Sequence, residues 1–139
     1  MDNLWNIKTG AITQNPIAIL QEQANILLKE THNKVGATVT KSSDMFGDFV
    51  ITFLITSPTI PNYSFKVFSA KLKPTIYPII IDCDENIQME LGYADNQITT
   101  NITCHNYDEF LNTLSRILGS NYIGQVIQSL MMLSSNLSF

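Results

Sequence analysis

The sequence predicts an α+β fold: an antiparallel meander sheet of about five or six strands, flanked by an N-terminal helix and one or two C-terminal helices. Three observations lead to it. Apolar residues recur at helical spacing after Asn15-Pro16 and again after Asn106. Between those stretches, from Lys34 to Thr103, the hydrophobic period falls to two. The strand-like runs are joined by short links, and strands joined in that way tend to pair with their sequence neighbours. Residues 1–139 read as one domain, without an internal repeat or a linker.

Each element has its own warrant. Residues 1–14 read as an arm, with Trp5, the sole tryptophan, expected to pack onto the body. Asn15 is a good N-cap and Pro16 suits the first helical position. Ile17, Leu20, Ala24, Leu27 and Leu28 then share one stripe, opposite Gln21, Glu22, Asn25 and Lys29, as far as His32-Asn33. Val35 to Thr40 is a weak first strand, and Ser42 to Asp48 a turn. Phe49 to Ile55 is apolar on both faces, the pattern of a central strand. Pro58 and Pro61 are barred from a ladder, so Ser57 to Asn62 is a loop.

Tyr63, Phe65 and Val67 alternate with Ser64 and Lys66. After the break at Pro74 comes a strand from Ile76 to Ile81, its start pushed toward a sheet edge by Pro78. Ile87, Met89, Leu91 and Tyr93 alternate with Gln88, Glu90 and Gly92 and read as the next strand. Asp95-Asn96 then turns the chain into a last strand through Ile98, Thr100 and Ile102. Asn106 with Glu109 makes a variant capping box, and Phe110, Leu111, Leu114, Ile117 and Leu118 form the buried stripe behind it. Gly119 stops that helix. Ser120 caps another, which carries Tyr122, Ile123, Val126, Ile127, Leu130 and Met131; Ser134 to Phe139 is expected to fray.

Composition narrows the function. A chain of 139 residues buries one core without help from a metal or a disulfide. Charged residues make up 14%, against about 25% in an ordinary globular domain, so the surface is open to association with a partner or a second copy. Eight Lys plus Arg stand against twelve Asp plus Glu, a net charge of −4, and Arg116 is the sole arginine. A general nucleic-acid binder needs clustered positive charge, so nucleic acid is not the expected partner. The opening residues carry Asp2 and neither the basic nor the apolar region of a signal peptide. No apolar run approaches the ~20 residues of a membrane span, and the expectation is a cytoplasmic protein without a membrane partner. Cys83 and Cys104 stand in no CxxC pair, so free thiols are expected rather than a zinc site; a bridge would require them on neighbouring strands.

The densest cluster of acidic chemistry is Asp82-Cys83-Asp84-Glu85, entered by three isoleucines. An EF-hand loop beginning at Asp82 fits at Asp84 and Asn86, then fails where Ile87 replaces the required glycine and Tyr93 the required glutamate. An apolar strand leading into Asp-x-Asp also opens haloacid-dehalogenase phosphatases. There the pair is followed by Gly-Thr or similar, where this chain has Glu85 and Asn86. The reading carried forward is a polar hairpin turn at Asp84-Glu85-Asn86 that doubles as an acidic contact surface. His32 and His105 are the two histidines. Cys104 and His105 are adjacent in an extended segment and point to opposite faces, a poor dyad. His32 is expected at the end of the first helix and His105 at a strand-to-helix corner. Phe46 in a turn and Tyr63 after a proline loop are placed to serve as exposed anchors.

In size, mild acidity and order of elements the chain resembles the immunity proteins of bacterial contact-dependent and polymorphic toxin systems. The resemblance implies a non-enzymatic binding module that neutralises a toxin, with a basic toxin domain as partner. Asp44, Phe46, Asp48, Asp82, Asp84 and Glu85 are the candidate contact residues, an acidic surface bearing an aromatic side chain. The layout also resembles type III secretion chaperones, which implies a homodimer through the last helix and capture of an unfolded segment. A third reading is a small ligand-binding protein or enzyme with a cavity between sheet and helices, which needs converging polar groups. No catalytic residue, cofactor or metal ligand is expected.

Overall fold

The structure, a computed structural model, describes residues 4, 5, 15–92 and 101–136. The elements are α1 (Pro16–Glu30), β1 (Gly36–Ser43), β2 (Phe49–Thr56), β3 (Ser64–Lys73), β4 (Ile76–Cys83), α2 (Glu85–Leu91), β5 (Ile102–Cys104), α3 (Tyr107–Leu118) and α4 (Asn121–Asn136). Among the described residues five strands lie in one sheet in chain order, each antiparallel to the next. This is the expected α+β meander, with two C-terminal helices and a short extra helix, α2.

Local signals start and stop the helices. Asn15 Oδ1 accepts the N–H groups of Ile17 (2.9 Å) and Ala18 (3.3 Å), and Pro16 occupies the first turn. At the other end Thr31 ties α1 to β1: its Oγ1 accepts the Val35 N–H (3.0 Å) and lies 2.8 Å from the Leu27 carbonyl. Asn106 Oδ1 accepts the Glu109 N–H (2.9 Å) at the start of α3. Glu109 reaches back to the His105 N–H (2.9 Å), one residue earlier than a standard capping box.

Residues directly opposite in the register share a face. Ile51, Phe53 and Ile55 of β2 lie on the same face as Phe68, Ala70 and Leu72 of β3, Ile79, Ile81 and Cys83 of β4, and Cys104 of β5. All of these are buried. Buried Leu20 and Ala24 of α1, Phe110, Leu114 and Ile117 of α3, and Ile123 and Leu130 of α4 complete this core. The other face carries Thr38, Thr40, Val50, Thr52, Leu54, Ser69, Lys71, Ile80 and Asp82, exposed or half-buried. β2 pairs on both sides, as its apolar run predicts. Between Phe53 and Leu54 the register slips by one residue, and the Val67 carbonyl accepts the Asp84 N–H (2.9 Å).

Several expectations are corrected. The segment with Ile87, Met89 and Leu91 is α2, not a strand. Seven residues are too few to separate a period of two from i, i+4 spacing. Ile87 is buried and Leu91 half-buried at i, i+4, while Met89 is exposed. Asp84-Glu85-Asn86 is therefore a helix start and not a hairpin turn. Asp84 Oδ2 accepts the Asn86 N–H (3.0 Å), and Gly92, at φ +81°, closes the far end in the left-handed region. Trp5 is 78% exposed, so most of its surface stays outside the core it was expected to join. The segment from Ser134 continues α4 to Asn136 through i, i−4 bonding, and only 137–139 of the expected frayed tail lie outside the described residues. Tyr93, Asp95-Asn96, Ile98 and Thr100 also lie outside them; Ile102 is in β5 as expected.

α2 also serves α4. The two Glu90 carboxylate oxygens accept the N–H groups of Asn121 (2.7 Å) and Tyr122 (2.9 Å), a cap supplied from 31 residues away. Glu90→Ala strips both acceptors and the negative charge from a helix N-terminus. It is expected to cost about 1–2 kcal/mol, read from the urea midpoint at unchanged m-value. A loss below about 0.3 kcal/mol would show that water caps α4 equally well.

Candidate functional site

The β1–β2 turn is built to hold two apolar side chains in solvent. Asp44 Oδ1 accepts the N–H groups of Phe46 (2.9 Å) and Asp48 (3.0 Å), and the Asp44 N–H donates to the Asp48 carbonyl (2.9 Å). Gly47 sits at φ +83°, where a side chain would be strained. These contacts use the backbone and the aspartate and leave Met45 and Phe46 at the apex, 90% and 79% exposed. Phe49, where β2 begins, is 50% exposed.

The turn is also anchored to the sheet. Lys71 Nζ lies 3.4 Å from Asp44, and Lys73 Nζ 3.3 Å from Asp48, which is buried. Partial burial acts to raise the Asp44 pKa, but the N–H groups of Asp48 and Phe46 and the Lys71 ammonium outweigh it, and the net shift is downward. Each aspartate of the turn thus has its own lysine, and the turn presents its apolar apex more than a negative charge.

The six candidate contact residues form two groups. Asp44, Phe46 and Asp48 share the β1–β2 turn. Asp82 stands opposite Ser69 on β3, and Asp84, beside Val67, and Glu85 follow where β4 enters α2, away from the Leu72 end of β3 that faces the turn. About five residues of strand, on the order of 17 Å, separate Val67, beside Asp84, from Leu72, whereas Asp82 lies three residues from that end, on the order of 10 Å. Within the second group Asp84 is committed to capping α2. Asp82 accepts from Gln88 Nε2 at 3.4 Å and lines a shallow depression of about 260 Å³ with Val50, Lys71 and Ile80. Glu85 is exposed in the first turn of α2.

Tyr63 is half-buried against the core and does not serve as an exposed anchor; its pKa is raised by burial and by Tyr122. Met45 and Phe49 were not singled out by sequence. A methionine next to a turn aromatic and a strand-opening phenylalanine carry no local sign of exposure.

The remaining chemistry is placed apart. Cys104 is buried with Sγ 3.5 Å from Thr113 Oγ1, while the exposed His105 ring lies 3.0 Å from Glu109 Oε1, so the neighbours do point apart. The Glu109 pKa is lowered by the His105 N–H and then by its ring. His32 follows the end of α1, exposed. Cys83 and Cys104 are free. Cys104 pairs with Ile79, four residues from Cys83 along β4, on the order of 13 Å and too far for a bridge. Between α1 and α4, above Phe53 and Ile55, runs an apolar groove of about 200 Å³ whose polar side chains, Gln23 and Glu30, both come from the α1 wall.

Burial first, and then the Asp82 carboxylate, pushes the Cys83 thiol up to about 11. A raised folded pKa leaves stability intact below the unfolded value and removes it as pH rises toward 11. Unfolding free energy is expected to fall by about 2 kcal/mol more in wild type than in Cys83→Ala between pH 9 and 11, read from urea midpoints. Parallel curves for the two proteins would refute this.

No family model matches this chain, and no curated protein or solved structure matches it either. Among the described residues, no helix is long and apolar enough to cross a membrane, and no three His, Cys, Asp or Glu side chains gather to hold a metal ion.

Proposed function

We propose that this chain is a non-enzymatic protein-binding module that docks the β1–β2 turn into an apolar pocket of its partner, and that it neutralises that partner as the immunity proteins it resembles do. One observation carries the reading: Met45 and Phe46 are held in solvent by a turn whose backbone is set by Asp44 and Gly47. A turn of this type asks only for Asp and Gly at those positions. Its apex tolerates any polar residue, and two large apolar ones there gain on docking a burial that outweighs the rotamer freedom they lose. The paired lysines make charge secondary at this surface, so a basic toxin domain would be recognised first by shape.

The test is capture of a partner from the native host by the tagged protein, run in parallel with the M45S/F46S and D82K/E85K variants. Asp84 is left intact, because reversing it would remove the cap of α2. Wild type and D82K/E85K are expected to retain one stoichiometric partner and suppress its activity, and M45S/F46S to lose both. Retention by M45S/F46S with loss by D82K/E85K would move the contact surface to the β4–α2 end. Capture that is equal in all three would refute both surfaces.

A further inference from the structure

The β1 edge of the sheet carries little of the usual protection. Among the described residues β1 pairs with β2 alone. It is eight residues long, contains no proline, and keeps an unbroken register from Gly36 opposite Thr56 to Ser43 opposite Phe49. Edge strands are ordinarily blunted by shortness, proline, a bulge, charge or a covering helix or loop. Of these devices β1 has one lysine, Lys41, and α1 against its first residue, where Leu28 meets the buried Gly36; Thr38, Thr40, Ser42 and Ser43 are exposed. The outward N–H and C=O groups of β1 are a template for another strand.

The sequence of β1 says which strand fits. Gly36-Ala37-Thr38-Val39-Thr40-Lys41-Ser42 is self-complementary about Val39. In an antiparallel pair of two copies with Val39 on the two-fold axis, Thr38 of one copy stands opposite Thr40 of the other, twice. Ala37 stands opposite Lys41, and Gly36 opposite Ser42. Threonine pairs across a ladder are favourable, and like charges directly opposite are not. Here the two Lys41 side chains are four positions apart along the strands, on the order of 13 Å, beyond a Debye length at physiological salt. The half-buried Ala37 and Val39 continue the apolar face from one copy into the next. Such a contact is isologous and closes on itself, leaving no β1 edge to recruit a third chain.

We infer that β1 is a dimerisation edge, joining two copies β1 to β1 into one continuous sheet. The inference uses a different surface from the proposed partner contact and stands without it. Because the strands run antiparallel, the two Met45-Phe46 turns project from opposite ends, and both stay accessible.

Light scattering coupled to size exclusion tests this on the full chain. Wild type is expected to approach twice 15.6 kDa as concentration rises. T38K/T40K sets lysine against lysine twice across the axis and is expected to run as a folded monomer, with circular dichroism unchanged. T38K/T40E sets lysine against glutamate twice and is expected to remain a dimer. The inference is overturned by a wild type that stays monomeric at millimolar concentration, or by a T38K/T40K protein that dimerises as wild type does. A folded T38K/T40E monomer overturns the Val39-centred register.

Discussion

Phe46→Ala is expected to weaken partner binding by about 30-fold or more, the ~2 kcal/mol typical of a truncated aromatic anchor, and to leave the thermal midpoint within about 2 °C of wild type. The separation of the two effects is the point of the measurement. Phe46 is 79% exposed, so its ring contributes little to the folded state of the free chain. The turn that presents it is held by Asp44 to the N–H groups of residues 46 and 48, bonds that alanine retains. Met45→Ala should add to the loss, though less than additively, because the two side chains would enter one pocket. Calorimetric titration of each variant against the captured partner reads the effect directly. An affinity within threefold of wild type for the double variant would remove the turn from the interface. A drop in thermal midpoint matching the drop in affinity would mean that the apex serves folding instead.

Phe68→Ala is expected to lower the unfolding free energy by about 3–5 kcal/mol, the range for emptying a buried phenylalanine site. Against a total of about 5–15 kcal/mol, this leaves the domain near the edge of stability. Phe68 has no exposed surface. Its ring stacks on Phe53, directly opposite on β2, with centroids 5.6 Å apart and planes within 6°. It also sits where β3 slips register, so the chain on either side has little freedom to close over a cavity. Phe68→Leu keeps most of the volume and should cost far less, which separates the cavity from the lost stack. Chemical denaturation of the three proteins decides it. A loss under about 1 kcal/mol for Phe68→Ala would show that neighbouring helices collapse into the site.

What was legible in the sequence was local. Asn15-Pro16 and Asn106 with Glu109 marked the helix starts because a cap needs only its own next three residues. The strand order followed from short links. α2 is disguised in the sequence because Ile87, Met89 and Leu91 satisfy a strand period, and the deciding signals, Asp84 as N-cap and Gly92 as C-cap, read equally well as turn residues. Phe46 was visible as an aromatic in a turn between two strands. Met45 and Phe49 were not, since exposure of an apolar residue is decided by what fails to cover it. Asp44 and Asp48 count toward an acidic contact surface in the sequence because Lys71 and Lys73 stand more than twenty residues away, brought alongside only by the β2–β3 register. The Glu90 cap on α4 was hidden for the same reason.

The sequence by itself determined the α+β class, the meander, the N-caps of α1 and α3 and the turn that carries Phe46. Those features depend on backbone preference and hydrophobic period, which are complete within about ten residues. Only the tertiary structure decided which charges neutralise one another, which thiols stay apart, that β1 is left as an edge, and that Met45 and Phe46 stand out in water. Each of those depends on strand register and on the helices that close one face of the sheet. Register and closure are set by the packing of the whole chain, where burying the Phe53–Phe68 core outweighs any single local preference.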